Sequence, residues 1–221
     1  MKLARVNGAA VAALAASLCA NAQAPAKHPM TFDDMIQLHR VSAPQVSPDG
    51  KWVAFAVATP DMQANRNASN LWLISTAGGE AVQLTQSGHD SAPAWSPDGK
   101  TLAFLSSRDG NSQVYLLSMS GGEPRKLTIL STGADLFQWS PDGKTLAFTS
   151  AVYLDCKDDA CNGQRDADKE QSKVKAHITD HLLYRHWDHW SEGKRRHLFV
   201  TPADGSSGNW EIACLVGGTP V

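Results

Sequence analysis

Short apolar segments separated by polar turns follow one another along most of the chain. One twelve-residue unit occurs three times, at residues 46–57, 95–106 and 139–150, and each copy carries a Ser-Pro-Asp-Gly turn followed by an apolar run. The unit recurs after 49 and then after 44 residues. Self-similarity at such intervals is the sequence signature of a repeat architecture.

The repeated turns have residue types that suit a hairpin. Proline presets φ for the second position, aspartate suits the third, and glycine accepts the positive φ of the fourth. This combination predicts a hairpin with a bulge at the glycine. The alternative of calcium binding by the aspartates is disfavoured because each aspartate belongs to a tight local turn. The turn residues are Pro48, Asp49, Gly50, Pro97, Asp98, Gly99, Pro141, Asp142 and Gly143.

Each turn lies between two predicted strands, and two further short strands follow before the next copy. In the second copy these are residues 94–96, 101–106, 113–118 and 124–128. Four short antiparallel strands in a unit of about 45 residues are typical of a propeller blade. The predicted fold is therefore all-β, a partial β-propeller of about three four-stranded blades with a short N-terminal helix and an inserted, partly helical segment.

The propeller is predicted at residues 46–205, with an insertion at residues 154–194 whose second half, residues 173–190, is expected to be partly helical. Residues 206–221 form a predicted tail that leaves the repeat, although residues 210–216 fit one more strand. Propellers typically close with four to eight blades. Three blades indicate a fragment or a truncated product of a longer gene.

The first 24 residues are predicted to be a secretory signal peptide, residues 1–24. Lys2 and Arg5 precede an apolar run at residues 8–20, and a small-x-small cleavage site ends at Ala24. The sequence therefore predicts export, to the periplasm or the medium. No later segment is long and apolar enough for a bilayer, so no membrane association is expected after cleavage.

Residues 25–45 are predicted to be a linker and a short helix. The helix is expected at residues 31–40, where Thr31 and Asp34 have the spacing of a capping box. Its apolar side is expected to seal an edge of the domain.

Cys156 and Cys161 enclose a small hydrophilic loop and are predicted to form a disulfide, because an exported protein meets an oxidising compartment. Zinc binding is the alternative, but two thiols alone do not make a zinc site. Cys214 is left without an assigned partner.

Charge and histidine spacing restrict the ligands. The net charge is −2 and the longest basic run is residues 194–196, so nucleic acid is not an expected partner. Two histidine pairs in the insertion have spacings that can hold zinc, but no His-Glu-x-x-His occurs. We therefore predict neither a metal nor a cofactor. The histidines are His177, His181, His186 and His189.

Aromatic and charged residues late in the insertion are candidates for substrate contact. Arg185, Trp187, Asp188 and Trp190 lie together on a segment that suits a binding wall better than a blade core. The alternative is a structural arm that packs against another domain.

The repeat Ser-Pro-Asp-Gly-Lys-x-(Leu/Val)-Ala-Phe, with a later Gly-Gly-Glu and a closing Leu-Thr, resembles the blades of TolB-type and WD-repeat-like propellers. The signal peptide, residues 39–42, and the insertion motif at residues 184–188 ahead of residues 197–200 extend the resemblance. Together they resemble the N-terminal propeller of exported bacterial prolyl oligopeptidase family serine peptidases, in the dipeptidyl-peptidase and acylaminoacyl-peptidase branch. The resemblance covers residues 31–205.

In that family a separate C-terminal α/β-hydrolase domain carries the catalytic serine, aspartate and histidine, with the serine on a Gly-x-Ser-x-Gly elbow. This sequence has no such motif; residues 110–114 and 205–208 depart from it. No catalytic residue is therefore assigned, and the chain is expected to be inactive alone. The resemblance implies a propeller that gates and selects substrate for an exopeptidase releasing short peptides from peptide N-termini. It further implies that Asp188 pairs with the ammonium group of a peptide.

Two other hypotheses stay open. One is a periplasmic TolB-like propeller that acts as an interaction module for protein partners. The other is a truncated product without independent function, which the tail and Cys214 favour.

Overall fold

The computed structural model describes residues 28–176, 185–187, 189–190, 193–206 and 211–212. The predicted signal peptide and Cys214 lie outside these residues. The chain divides into two compact units, Met1–Gln37 and Leu38–Val221.

The first unit contains helix α1, Phe32–Ile36. Its cap is the predicted one, since the amide of Thr31 donates to the Asp34 carboxylate at 2.8 Å and the Asp34 amide donates to Thr31 Oγ1 at 3.3 Å. The predicted helix end at residue 40 is wrong, because Arg40 already belongs to a strand. None of the α1 residues is buried, and its role in sealing an edge stays a prediction.

The first blade consists of β1 (Arg40–Val46), β2 (Trp52–Asp61), β3 (Arg66–Ser75) and β4 (Val82–Gln83), paired antiparallel in that order. The predicted propeller start at residue 46 is therefore wrong by one strand. β1 escaped prediction because Pro44 interrupts its pattern, and the strand accommodates the proline with a register shift between Ser42 and Gln45.

The strands β2 and β3 form one long hairpin that continues down to the pair Asp61 and Arg66. The Asp61 carboxylate closes the turn by accepting hydrogen bonds from the amides of Gln63 and Ala64, at 3.1 and 3.0 Å. This local bonding lets a polar segment form a turn without glycine or proline.

The second blade repeats the layout with β5 (Asp90–Trp95), β6 (Thr101–Ser106), β7 (Gln113–Ser118) and β8 (Arg125–Lys126). Its first strand again shifts register, between Ser91 and Ala94.

The third blade begins with β9 (Phe137–Trp139) and β10 (Thr145–Tyr153). The inserted segment then carries α2 (Asp159–Gln171), β11 (Arg185–His186) and β12 (His189–Trp190). The insertion is thus partly helical, but its described helix lies in the first half. Residues 185–186 and 189–190 form strands within the segment that was expected to be partly helical.

The third blade is completed by β13 (Lys194–Pro202) and β14 (Glu211–Ile212), so that β9, β10, β13 and β14 lie side by side. Two predicted boundaries are wrong as a result. Lys194 belongs to β13 and not to the insertion, and the tail assigned to residues 206–221 supplies the fourth strand of this blade. The all-β, three-bladed prediction itself is confirmed.

Apolar side chains fill the two spaces between neighbouring blades. Leu102 and Phe104 of the second blade are fully buried against Ala54 and Leu71 of the first. Leu146 and Phe148 of the third blade are buried in the same way against the second. Because the repeat places the same residue types at these positions, one sequence unit encodes both contacts.

All three Ser-Pro-Asp-Gly turns have the same internal hydrogen bonds. In the second, the hydroxyl of Ser96 donates to the Asp98 carboxylate at 2.6 Å, and the Lys100 amide donates to the same oxygen at 3.0 Å. The Thr101 amide donates to Ser96 Oγ at 3.0 Å. The hydroxyl of Ser96 lowers the pKa of Asp98, and the turns of the first and third blades lower the pKa of their aspartates likewise.

The glycines of these turns adopt φ of 71°, 69° and 71° at Gly50, Gly99 and Gly143, a region that favours glycine. Strand direction places all three turns on one face of the propeller, which we call the turn face. The insertion connects the second and third strands of its blade and therefore lies at the opposite face, which we call the insertion face.

Candidate functional site

The insertion starts from a covalently closed turn at the end of β10. A disulfide joins Cys156 and Cys161, with their Cα atoms 5.4 Å apart. The carboxylate of Asp158 caps α2 by accepting a hydrogen bond from the Cys161 amide at 2.8 Å. The predicted disulfide is therefore present, and its second cysteine lies in the first turn of α2.

Helix α2 is attached to the propeller through polar contacts. The Asp159 carboxylate accepts hydrogen bonds from the amide of Ser131 at 3.0 Å and from its hydroxyl at 2.8 Å. Asn162 is buried and its Oδ1 accepts the Tyr153 amide at 2.9 Å. A Cβ atom at Gly163 would lie 3.2 Å from Ser131 Cβ, so the helix backbone approaches this loop closely.

A second set of contacts surrounds the ring of Tyr153. Its hydroxyl donates to Asp166 at 2.9 Å, and Lys194 forms an ion pair with the same carboxylate at 2.7 Å. The Arg165 guanidinium and the Lys194 ammonium group each lie 5.0 Å from the ring centroid. Arg165 also pairs with Asp155 and lowers the pKa of that carboxyl group. These contacts hold both ends of the insertion at the blade.

The candidate substrate-contacting residues lie on the hairpin formed by β11 and β12. Its register pairs Arg185 with Trp190 and His186 with His189, which leaves a two-residue loop. Trp187 occupies the first loop position with φ of 53° and is 85% exposed. Three of the four candidates, Arg185, Trp187 and Trp190, therefore lie on one hairpin. The fourth, Asp188, lies outside the described residues.

The hairpin was hard to predict because its loop lacks the usual residues. Two-residue hairpin loops need positive φ and favour asparagine and glycine, whereas this loop has a tryptophan in that conformation. A bulky residue with positive φ is uncommon. Such conformations concentrate at functional sites.

The histidine pairs are only partly described. His186 and His189 are register partners on the two strands of the hairpin, and His177 and His181 lie outside the described residues. In the part of the chain that the structure describes, no group of three or more histidine, cysteine, aspartate or glutamate side chains is arranged to hold a metal ion.

A cavity of about 360 Å³ lies along the first strands of the three blades. It was not predicted from the sequence. Its lining includes Val46, Trp95, Phe137 and Trp139, together with the carboxylate residue Asp135. Asp135 forms an ion pair with Arg196 at 3.0 Å.

A repeated tripeptide would have indicated this cavity. Ser-Ala-Pro occurs at residues 42–44 and 91–93. Both alanines have positive φ, 48° at Ala43 and 49° at Ala92, and both lie where the first strand of a blade shifts register. These bulges bend the first strands beside the cavity.

Among the described residues no helix is long and apolar enough to cross a membrane.

Comparisons with known proteins agree with this geometry. The family described as the TolB beta propeller domain matches residues 36–174. A Bacillus subtilis (strain 168) protein named uncharacterized peptidase YuxL is 40% identical over 106 residues, covering 47% of this chain and 16% of the relative. Dipeptidyl-peptidase 5 of Porphyromonas endodontalis is 28% identical over 172 residues, covering 77% of this chain and 24% of the relative.

The likeness to one solved structure concerns the fold alone, because the sequence identity is low. The acylaminoacyl peptidase of Pyrococcus horikoshii superposes with a TM-score of 0.59 at 14% identity, covering 77% of this chain and 24% of that protein. The chain therefore spans about a quarter or less of the length of these relatives. The resemblance predicted from the turn repeats is confirmed, since the matches are a TolB-type propeller family and proteins named peptidases.

Proposed function

Because the chain belongs to the TolB β-propeller domain family, we propose that it is the substrate-selecting propeller of an exported serine exopeptidase. The catalytic α/β-hydrolase domain lies outside this sequence, which has no Gly-x-Ser-x-Gly elbow. The relatives named YuxL and dipeptidyl-peptidase 5 support the peptidase class.

The observation that carries the proposal is the hairpin with Trp187 at its loop. The Trp187 side chain is 85% exposed and stands on a backbone of uncommon conformation, so it presents a large apolar surface at the tip of the hairpin. Tryptophan side chains often dominate binding interfaces because they bury a large area at low entropic cost.

In this function the propeller binds and orients the peptide but does not cleave it. Trp187 and Trp190 pack against an apolar side chain near the peptide N-terminus. The Asp188 carboxylate forms an ion pair with the ammonium group of the peptide N-terminus. A peptide with a blocked N-terminus has no such charge and therefore binds more weakly. The propeller limits entry to short peptides and flexible chain ends.

Binding of a short fluorescent peptide with a free N-terminus tests this proposal. We expect Trp187→Ala to raise the dissociation constant about 10-fold, a loss of about 1.4 kcal/mol, which is a usual size for one aromatic contact. Anisotropy titration of the wild-type chain and the variant gives both constants.

Trp52→Ala is the matched control, because Trp52 is 41% exposed but follows a Ser-Pro-Asp-Gly turn at the turn face. The affinity of the Trp52→Ala variant for the peptide should equal that of the wild type. Equal affinity of the Trp187→Ala variant and the wild type for the peptide would refute the substrate role of the hairpin.

We also propose that the protein is exported through the signal peptide at residues 1–24. Cleavage after Ala24 leaves Pro25 as the first residue, which N-terminal sequencing of the exported protein checks. Intact Met1 in the exported fraction would contradict this assignment.

The TolB family match also supports a second candidate, a propeller that serves as an interaction module for protein partners. The two candidates differ in ligand: an interaction module binds a folded partner and leaves short free-N-terminal peptides unbound. The peptide titration therefore distinguishes them.

A further inference from the structure

Helix α2 depends on its surroundings for its stability. It has 13 residues, and its apolar side chains are two alanines and one cysteine. A helix of this length is marginal in water on its own, and Gly163 in its interior weakens it further. Contacts with the rest of the third blade and with the preceding loop therefore decide whether α2 is formed.

Many of these contacts lie close to the first turn of α2. Asp159 accepts hydrogen bonds from the amide and the hydroxyl of Ser131. Asn162 accepts one from the Tyr153 amide, and its Nδ2 donates to the Asp158 carbonyl at 2.9 Å. Both contacts need the first turn in place, so loss of that turn removes them together.

The disulfide constrains this same turn. It joins residues five apart, and Cys161 is the third residue of α2. At the other end the Cys156 amide donates to the Tyr153 carbonyl at 3.1 Å, directly after β10. The bond thus ties the start of the helix to the end of the strand. A closed loop of this kind stabilises the docked helix by restricting the conformations of the undocked one.

The blade itself does not depend on this bond. β10 and β13 pair over their full length, from Thr145 with Pro202 to Tyr153 with Lys194. Their apolar contact is also independent of it, since the rings of Phe148 and Phe199 stack with centroids 5.5 Å apart. The disulfide closes a local loop outside this ladder, so its loss leaves the strands paired.

Both cysteines are accessible from solvent. Cys156 and Cys161 are each partly exposed, and Lys157, Asp158 and Ala160 between them are exposed. Exposed disulfides are more readily reduced than buried ones. A small dithiol can therefore reach the sulfur atoms without unfolding of the blade.

We propose that the Cys156–Cys161 disulfide is a redox-sensitive switch that controls the docking of α2. A thiolate of a dithiol reductant attacks one cysteine sulfur, which forms a mixed disulfide and releases the other cysteine as a thiolate. The second thiol of the reductant then displaces the first cysteine. Two electrons and two protons pass to the protein, which holds two thiols, and the reductant becomes a disulfide. With the loop open, α2 undocks while the blades stay folded.

Undocking of α2 reaches the boundary between two blades. Ser131 belongs to the connection at residues 127–136, which joins β8 of the second blade to β9 of the third. Asp135 and Leu136 of the same connection line the cavity beside the first strands. Release of Asp159 from Ser131 therefore loosens a segment that forms part of the cavity wall. This switch does not depend on peptide binding by the hairpin of β11 and β12.

Hydrogen exchange of the purified full chain, read by mass spectrometry of its peptides, tests the proposal before and after incubation with dithiothreitol. We expect the amides at residues 162–171 to exchange at least about 10-fold faster after reduction, because opening a small loop frees the undocked ensemble by that order. The Ser131 amide, which donates to Asp159, should also exchange faster. β10 and β13 should keep their rates, and reoxidation should restore protection of α2.

Two variants separate the disulfide from other thiol effects. The double variant Cys156→Ser, Cys161→Ser should exchange like the reduced wild type without any reductant, and dithiothreitol should not change it further. Cys214→Ser is the matched control, because it removes one cysteine and keeps the disulfide. It should respond to dithiothreitol like the wild type.

Unchanged exchange of α2 in protein whose two cysteines have become alkylatable would overturn the proposal. So would cysteines that resist dithiothreitol in the folded chain. Equal acceleration in β10 and β13 would show that the bond stabilises the whole blade and would exclude a local switch. A Cys214→Ser variant that no longer responds would assign the effect to Cys214 instead.

Discussion

The aspartates of the Ser-Pro-Asp-Gly turns show how single residues determine this fold. Each carboxylate accepts one hydroxyl and one amide hydrogen bond inside its turn, as Asp98 does with Ser96 and Lys100. These bonds favour the charged form and lower the pKa of Asp98. The turn therefore joins the first and second strands of a blade in a fixed register without any ligand.

Substitution of Asp98 tests this role. We expect Asp98→Ala to lower the free energy of unfolding by about 1–2 kcal/mol through loss of two local hydrogen bonds. Asp98→Asn should lose less, since it keeps an acceptor oxygen. Denaturant unfolding at pH 7 measures both changes.

The same pair of variants has a pH dependence with a definite sign. Because the pKa is lowered on folding, the carboxylate stabilises the fold above its unfolded pKa of about 3.9, and this stability is lost as the pH falls through the folded pKa. The difference between wild type and Asp98→Asn should therefore shrink below about pH 4. A constant difference down to pH 2 would contradict the assigned hydrogen bonds.

Among the elements, α2 depends on tertiary contacts rather than on its own sequence pattern. Its only buried residue is Asn162, whose side-chain oxygen accepts a hydrogen bond from the amide of Tyr153. We expect Asn162→Ala to lower the free energy of unfolding by about 1–3 kcal/mol, because it leaves a buried amide without its acceptor. Gln164→Ala, on the exposed side of the same helix, should have little effect. Thermal melts of the two variants compare them, and equal destabilisation would exclude the Asn162 contact as the anchor.

The elements that could be predicted from the sequence are those bounded by turn chemistry. The strands at Thr101–Ser106 and Gln113–Ser118 follow such turns, and the structure has them with the predicted bounds. Helix α2 lacks an apolar stripe and contains Gly163 at its docking side, so no periodicity indicated it. The hairpin of β11 and β12 lacked a turn signal because Trp187 takes the place of asparagine or glycine.

For the whole molecule, the sequence predicted three blades but not the cavity beside their first strands. The cavity depends on how the blades pack in space, which no local sequence pattern contains. The candidate residues Arg185, Trp187 and Trp190 are placed on one hairpin at the insertion face. Their contact with substrate stays a proposal that depends on the peptide measurements.

We expect this propeller to bind short peptides with free N-termini and to leave them intact. Isothermal titration with such a peptide, followed by mass spectrometry of the same sample, measures both properties. We predict saturable binding, weaker binding of the N-acetylated peptide, and an unchanged peptide mass after incubation. Absence of binding, equal binding of the acetylated peptide, or release of a shortened peptide by the pure chain would exclude this role of the propeller.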